Sequence, residues 1–106
     1  MTVKVEILYF DGCPSHEPLS ASVRRLLTET GVDADMELRR VESVAGAEAA
    51  RFLGSPTVRV DGVDVDPGAA AREDFGLKCR LYRSADGARG TPPEEWIRAA
   101  LTRAGA

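Results

Sequence analysis

A chain of 106 residues carrying a net charge of −3 has room for one domain and not for two. Its apolar share of 43% and charged share of 29% exclude a disordered protein, and roughly two-thirds of the unfolded surface of such a chain is hidden on folding. The basic residues are almost all Arg and are scattered, which argues against a nucleic-acid partner, since phosphate binding needs a concentrated basic surface.

The first predicted element is a strand in which Val3, Val5, Ile7 and Tyr9 alternate with Lys4, Glu6, Leu8 and Phe10. The second set turns apolar toward its end, as in a central strand covered on both faces. Asp11-Gly12 breaks it. A helix follows, with Leu19, Val23, Leu26, Leu27 and Thr30 at helical spacing and Gly31 placed as the left-handed C-terminal residue. Its start is ambiguous, because Pro14 and Pro18 each suit a first helical position and only one can hold it. Val32, Ala34, Met36 and Leu38 lead into Arg39-Arg40-Val41 as a second strand. The Ala-rich stretch from Val44 to Leu53 predicts a short helix stopped by Gly54. Two alternating runs between Ser55 and Val65, joined by Asp61-Gly62, predict a tight hairpin.

Residues 69–76 read as a loop or one helical turn. Leu77, Cys79 and Leu81 alternate with Lys78, Arg80 and Tyr82, which suits a short strand, and Asp86-Gly87 turns again. In the last helix Thr91 and Glu94 form a capping box around Pro92, and Ile97, Ala100, Leu101 and Ala104 make the buried stripe. The order β-α-β-α-β-β-α predicts an α/β domain over residues 1–106. Its mixed sheet has four strands, or five if the segment around Cys79 joins, with helices on both faces. A parallel strand pair is expected across each of the first two helices.

No apolar run approaches the roughly 20 residues that a bilayer requires, and Met1 passes straight into Thr2-Val3-Lys4-Val5 without a leader. A cytoplasmic protein with no membrane partner is expected, in a compartment that keeps thiols reduced. Two cysteines are too few for a disulfide scaffold or a four-thiolate zinc site. If Cys13 and Cys79 matter, they matter as reactive thiols or as a redox pair.

The element order, Cys13-Pro14 after the first strand and Ser55-Pro56-Thr57 before the third resemble the thioredoxin fold. More narrowly, the chain is similar to short bacterial thioredoxin-like proteins, some of them DF-family (seleno)proteins. The matching pieces are Tyr9-Phe10-Asp11-Gly12-Cys13-Pro14, Gly54-Ser55-Pro56-Thr57-Val58, Val65-Asp66-Pro67, the run from Gly76 to Arg83, and Pro92-Pro93-Glu94-Glu95-Trp96-Ile97. The resemblance implies that Cys13 is the nucleophilic cysteine at a helix start. Pro56 becomes a cis-proline facing it, and Ser55, Pro56 and Thr57 shape the substrate groove. The chain departs from the Cys-x-x-Cys pattern, with His16 where the second cysteine stands.

A free cysteine with a pKa of about 8.5 is only a few per cent thiolate at pH 7. The helix N-terminus favours the anion at Cys13, as does a protonated His16 on the same helical face, whereas Glu17 opposes it. The alternative for Cys13 is a small buried hydrophobe, and for His16 an exposed helix-start residue. Cys79 is either a core cysteine sharing a face with Leu77 and Leu81 or a distant resolving thiol for Cys13. Asp61, Asp64 and Asp66 read as solvated turn acids, Arg80 and Arg83 as surface arginines, and Trp96 as a helix-to-sheet packing residue.

The leading expectation is a thiol–disulfide oxidoreductase-like protein with Cys13 as nucleophile and His16 stabilising its thiolate. Its partner is a protein or small-molecule thiol or disulfide, and it uses no cofactor. Two alternatives stand beside it. One is soft-metal or metalloid binding through Cys13, Cys79 and His16, and the other a redox-inactive adaptor using the groove. Oligomeric state is not encoded in any motif.

Overall fold

Strand β1 (Val3–Tyr9) organises the domain because both of its faces are buried. Val3, Val5 and Ile7 join a core cluster with Leu19, Val23 and Leu26 of helix α1 (His16–Thr30) and Ile97, Ala100 and Leu101 of helix α3 (Glu94–Gly105). Leu8 points the other way, into a second cluster with Val41, Phe52 and Ala47 of helix α2 (Val44–Ala49). Helices therefore cover both faces of the sheet. Each fully buried Leu or Ile in these clusters contributes about 1.5–3 kcal/mol of transfer free energy. The computed structural model describes residues 2–13 and 16–105.

The sheet has four strands in the order β2-β1-β3-β4, adding β2 (Ala34–Arg40), β3 (Thr57–Val60) and β4 (Val63–Asp64). Strands β1 and β2 are parallel, in register from Val3 opposite Ala34 to Tyr9 opposite Arg40. Strand β3 is antiparallel to β1, with Leu8 opposite Thr57. The expected second parallel pair is thus absent. Helix α2 has six residues and rises about 9 Å, too little to carry the chain back along a seven-residue strand. The chain stays at one end of the sheet and re-enters from there. That end is where the C-terminus of β1 and the N-terminus of β3 meet.

The turn between β3 and β4 is the one Asp-Gly favours, with positive φ at both Asp61 (51°) and Gly62 (83°). Gly31, at φ 70°, closes α1. Pro18 is the third residue of that helix, and Pro14 lies outside the described residues. Helix α2 ends earlier than expected, because Arg51 turns to φ 55° and sends Phe52 and Leu53 into the core as loop residues.

Two further expectations shift. The segment around Cys79 adds no fifth strand. Strands β5 (Tyr82–Ser84) and β6 (Gly87–Arg89) form a separate two-stranded ladder instead. Helix α3 starts at Glu94, two residues later than the capping box places it, and the Glu94 carboxylate pairs with Arg25 of α1. Trp96 meets Tyr82 edge-on at 6.4 Å between ring centres.

Candidate functional site

The antiparallel pairing of β1 with β3 brings the turn after β1 against the loop before β3. In the turn, the Cys13 amide donates to the Phe10 carbonyl at 3.3 Å. A Cβ on Gly12 would meet the Phe10 ring, which would have to shift to make room. Cys13 itself is 5% exposed, and its Sγ donates to the Ser55 carbonyl at 3.5 Å.

Ser55 is fully buried and is shared by three segments. Its Oγ accepts the Phe10 amide at 3.4 Å. Its own N–H donates to the Lys78 carbonyl, and its carbonyl accepts the Arg80 N–H, each at 2.8 Å. Cys79, between those two residues, forms an isolated parallel bridge with Ser55. The Ser55–Pro56 peptide bond is cis.

Both cysteines thus converge on one residue. Cys13 and Cys79 are free thiols, the first buried and the second exposed. Hydrogen bonding to the Cys13 side chain, then burial, then the nearby Cys13 charge push the Cys79 thiol above the ordinary cysteine range. Cys79 is therefore no core residue, and Leu81 beside it is also exposed. Next to Cys79 opens a cleft of about 490 Å³ whose walls include Leu53, Arg72, Lys78 and Arg83.

Three expectations change at this site. Ser55 and Thr57, expected to shape the substrate groove, have no exposed surface, and the Ser55 backbone is paired with residues 78 and 80. The His16 ring makes its hydrogen bond to the Cys13 carbonyl rather than to the sulfur, with Nδ1 at 3.2 Å. The ring also stacks on Tyr9, with centres 4.0 Å apart and planes 14° apart. Its contacts anchor the turn. Among the described residues, no three His, Cys, Asp or Glu side chains converge on a point that could hold a metal ion, so the ligand set Cys13–Cys79–His16 is not assembled.

The sequence reading missed what holds Cys79 in place. Arg80 is 2% exposed rather than a surface arginine, and Asp64 and Asp66 are its partners rather than solvated acids. Burial opposes the guanidinium charge, but the Asp64 hydrogen bond and the nearby Tyr82 and Asp66 outweigh it, so the charge is held more firmly than in free arginine. Gly54, at φ 125°, lets this segment approach. A Cβ there would lie 2.9 Å from the Arg80 Cβ and 3.1 Å from the Lys78 carbonyl. The available signal was two alternations. Asp64 and Asp66 stand two apart, as do Arg80 and Tyr82, but this spacing does not separate a buried arginine from an exposed one. No family model matches the chain, and neither a curated protein nor a solved structure does.

Proposed function

We propose that this chain is a thiol-dependent redox protein of thioredoxin-like build in which Cys13 and Cys79 form a dithiol–disulfide pair. The observation that carries the reading is the convergence of both cysteines on Ser55, Cys13 through its sulfur and Cys79 through its backbone bridge. The raised Cys79 thiol is consistent with a sulfur that shares its proton with its neighbour.

The chemistry follows from which sulfur keeps its proton. Cys79 is held above the ordinary cysteine range, which suits it to resolve rather than to attack, and Cys13 is assigned the attack by its place just before α1, as the resemblance to thioredoxin-like proteins implies. The Cys13 thiolate forms a bond to one sulfur of a substrate disulfide, and the other sulfur departs as a thiolate. Cys79 then gives up its proton and attacks the Cys13 sulfur, releasing the second substrate thiolate and closing the Cys13–Cys79 disulfide. Two electrons pass from the protein to the substrate, and the released protons end on the two departing thiolates. A small external thiol regenerates the pair by the reverse steps.

Oxidation of the reduced protein with glutathione disulfide, followed by peptide mass mapping, tests this. A single intramolecular Cys13–Cys79 cross-link is expected, absent from Cys13→Ser and from Cys79→Ser. If oxidation instead gives intermolecular dimers or glutathione adducts on both sulfurs, the two thiols are not a redox pair.

A further inference from the structure

We infer that Arg80, held by Asp64 and Asp66, is the positioning residue that sets Cys79 against Cys13, an inference that rests on the redox reading above. Its side chain has no exposed surface. One end nitrogen of the guanidinium donates to Asp64 Oδ2 at 2.8 Å and to Thr57 Oγ1 at 3.1 Å. The other donates to Asp64 Oδ1 and to Asp66 Oδ2, both at 3.2 Å. The fork also lies 4.4 Å over the Tyr82 ring, whose hydroxyl donates to the Pro56 carbonyl.

The two acids are fixed in their turn. Asp64 Oδ1 accepts the Asp66 amide at 2.9 Å, and Asp66 Oδ1 accepts the Gly68 amide at 2.8 Å. Thr57 passes the constraint on, donating its Oγ1 to the Gly54 carbonyl at 2.6 Å. One side chain thus ties the hairpin and the 54–57 loop to the residue that follows Cys79.

Stability alone is a poor reason for this arrangement. A buried ion pair is often matched or bettered by apolar residues of similar volume, because desolvation offsets the attraction. Arg80 Nε is moreover buried without a partner among the described residues, which adds a further penalty. An apolar side chain, however, cannot fix the height and rotation of the segment beneath it, whereas a planar five-donor fork can. Disulfide closure demands that geometry, since the two Cβ atoms must come within about 3.5–4.5 Å.

The test is the equilibrium constant for closing the Cys13–Cys79 disulfide in a glutathione redox buffer, measured beside the urea stability of the reduced protein. Arg80→Met is expected to lower the constant about 10- to 100-fold, because a disulfide closed away from its preferred geometry stores strain. Arg80→Lys, which keeps the charge and loses the fork, should lie between Arg80→Met and the wild type. Asp66→Asn removes one anchor while keeping its shape and should lower the constant several-fold. It decides the matter if Arg80→Met does not fold. Variants that lose stability yet keep the wild-type constant overturn the inference, because Arg80 is then purely structural. A wild-type protein that closes no such disulfide overturns the redox reading and this inference together.

Discussion

Gly54 and Arg80 occupy space that only a glycine allows them to share, since a Cβ on Gly54 would lie 2.9 Å from the Cβ of Arg80. Gly54 also sits at φ 125°, a conformation that side chains resist. Gly54→Ala is therefore expected to destabilise the protein by about 1–3 kcal/mol through backbone strain alone. It should also push the 78–80 segment off Ser55. Urea denaturation measures the first effect, and faster amide exchange at Ser55 and Arg80 reports the second. Unchanged exchange at both amides would mean that the segment does not depend on the missing side chain.

The two cysteines are expected to behave asymmetrically toward a disulfide. With Cys79 changed to Ser, attack by Cys13 has no second step, so a mixed disulfide with glutathione should accumulate on Cys13. With Cys13 changed to Ser, the thiol whose hydrogen bonding and charge raise Cys79 is gone, so Cys79 should form its adduct only at the rate of an ordinary exposed thiol. Intact-mass time courses distinguish the two variants. Faster labelling of Cys79 than of Cys13 would reverse the assignment of nucleophile and resolving thiol.

The pH dependence of Cys79 carries its own sign. The folded protein raises this thiol, first through its hydrogen bond to the Cys13 side chain, so its thiolate emerges only above the ordinary cysteine range. Alkylation of Cys79 by iodoacetamide should therefore have an alkaline midpoint. In Cys13→Ala the hydrogen bond and the Cys13 charge both disappear, and the midpoint should fall toward about 8.5. A midpoint that stays high in Cys13→Ala would assign the shift to burial instead.

Much of the fold is legible in the sequence, and the reasons lie in particular residues. Alternation in Val3–Tyr9 marks a strand buried on both faces, and Leu19, Val23 and Leu26 mark one side of α1. Asp61-Gly62 encodes its own turn locally. The direction of β3 is not local, because it depends on how far α2 can carry the chain. Cys13 and Ser55 stand out as chemistry beside a turn and a proline, but their contact depends on β1 pairing with β3. Arg80 is harder still. Exposed and buried arginines read alike in sequence, and only the folded hairpin places Asp64 and Asp66 beneath this one.

Core stability and site geometry should separate in a distant variant. Leu101 in α3 is fully buried in the cluster formed with α1 and β1. Leu101→Ala is expected to lower stability by about 2–5 kcal/mol, the range for large-to-small core changes. Below the unfolding transition, the alkylation midpoint of Cys79 should stay at its wild-type value. A midpoint that moved with Leu101→Ala would show that the thiol pair senses the packing of the whole core.

The short bridge between Ser55 and Cys79 joins stretches of chain that are far apart in sequence. Before that bridge forms, the polypeptide carries two unremarkable thiols with ordinary acidity and no means of finding each other. On the proposed redox reading, chemical competence is then a property of the folded molecule and of neither stretch alone, and a nascent or heat-damaged copy would lack it.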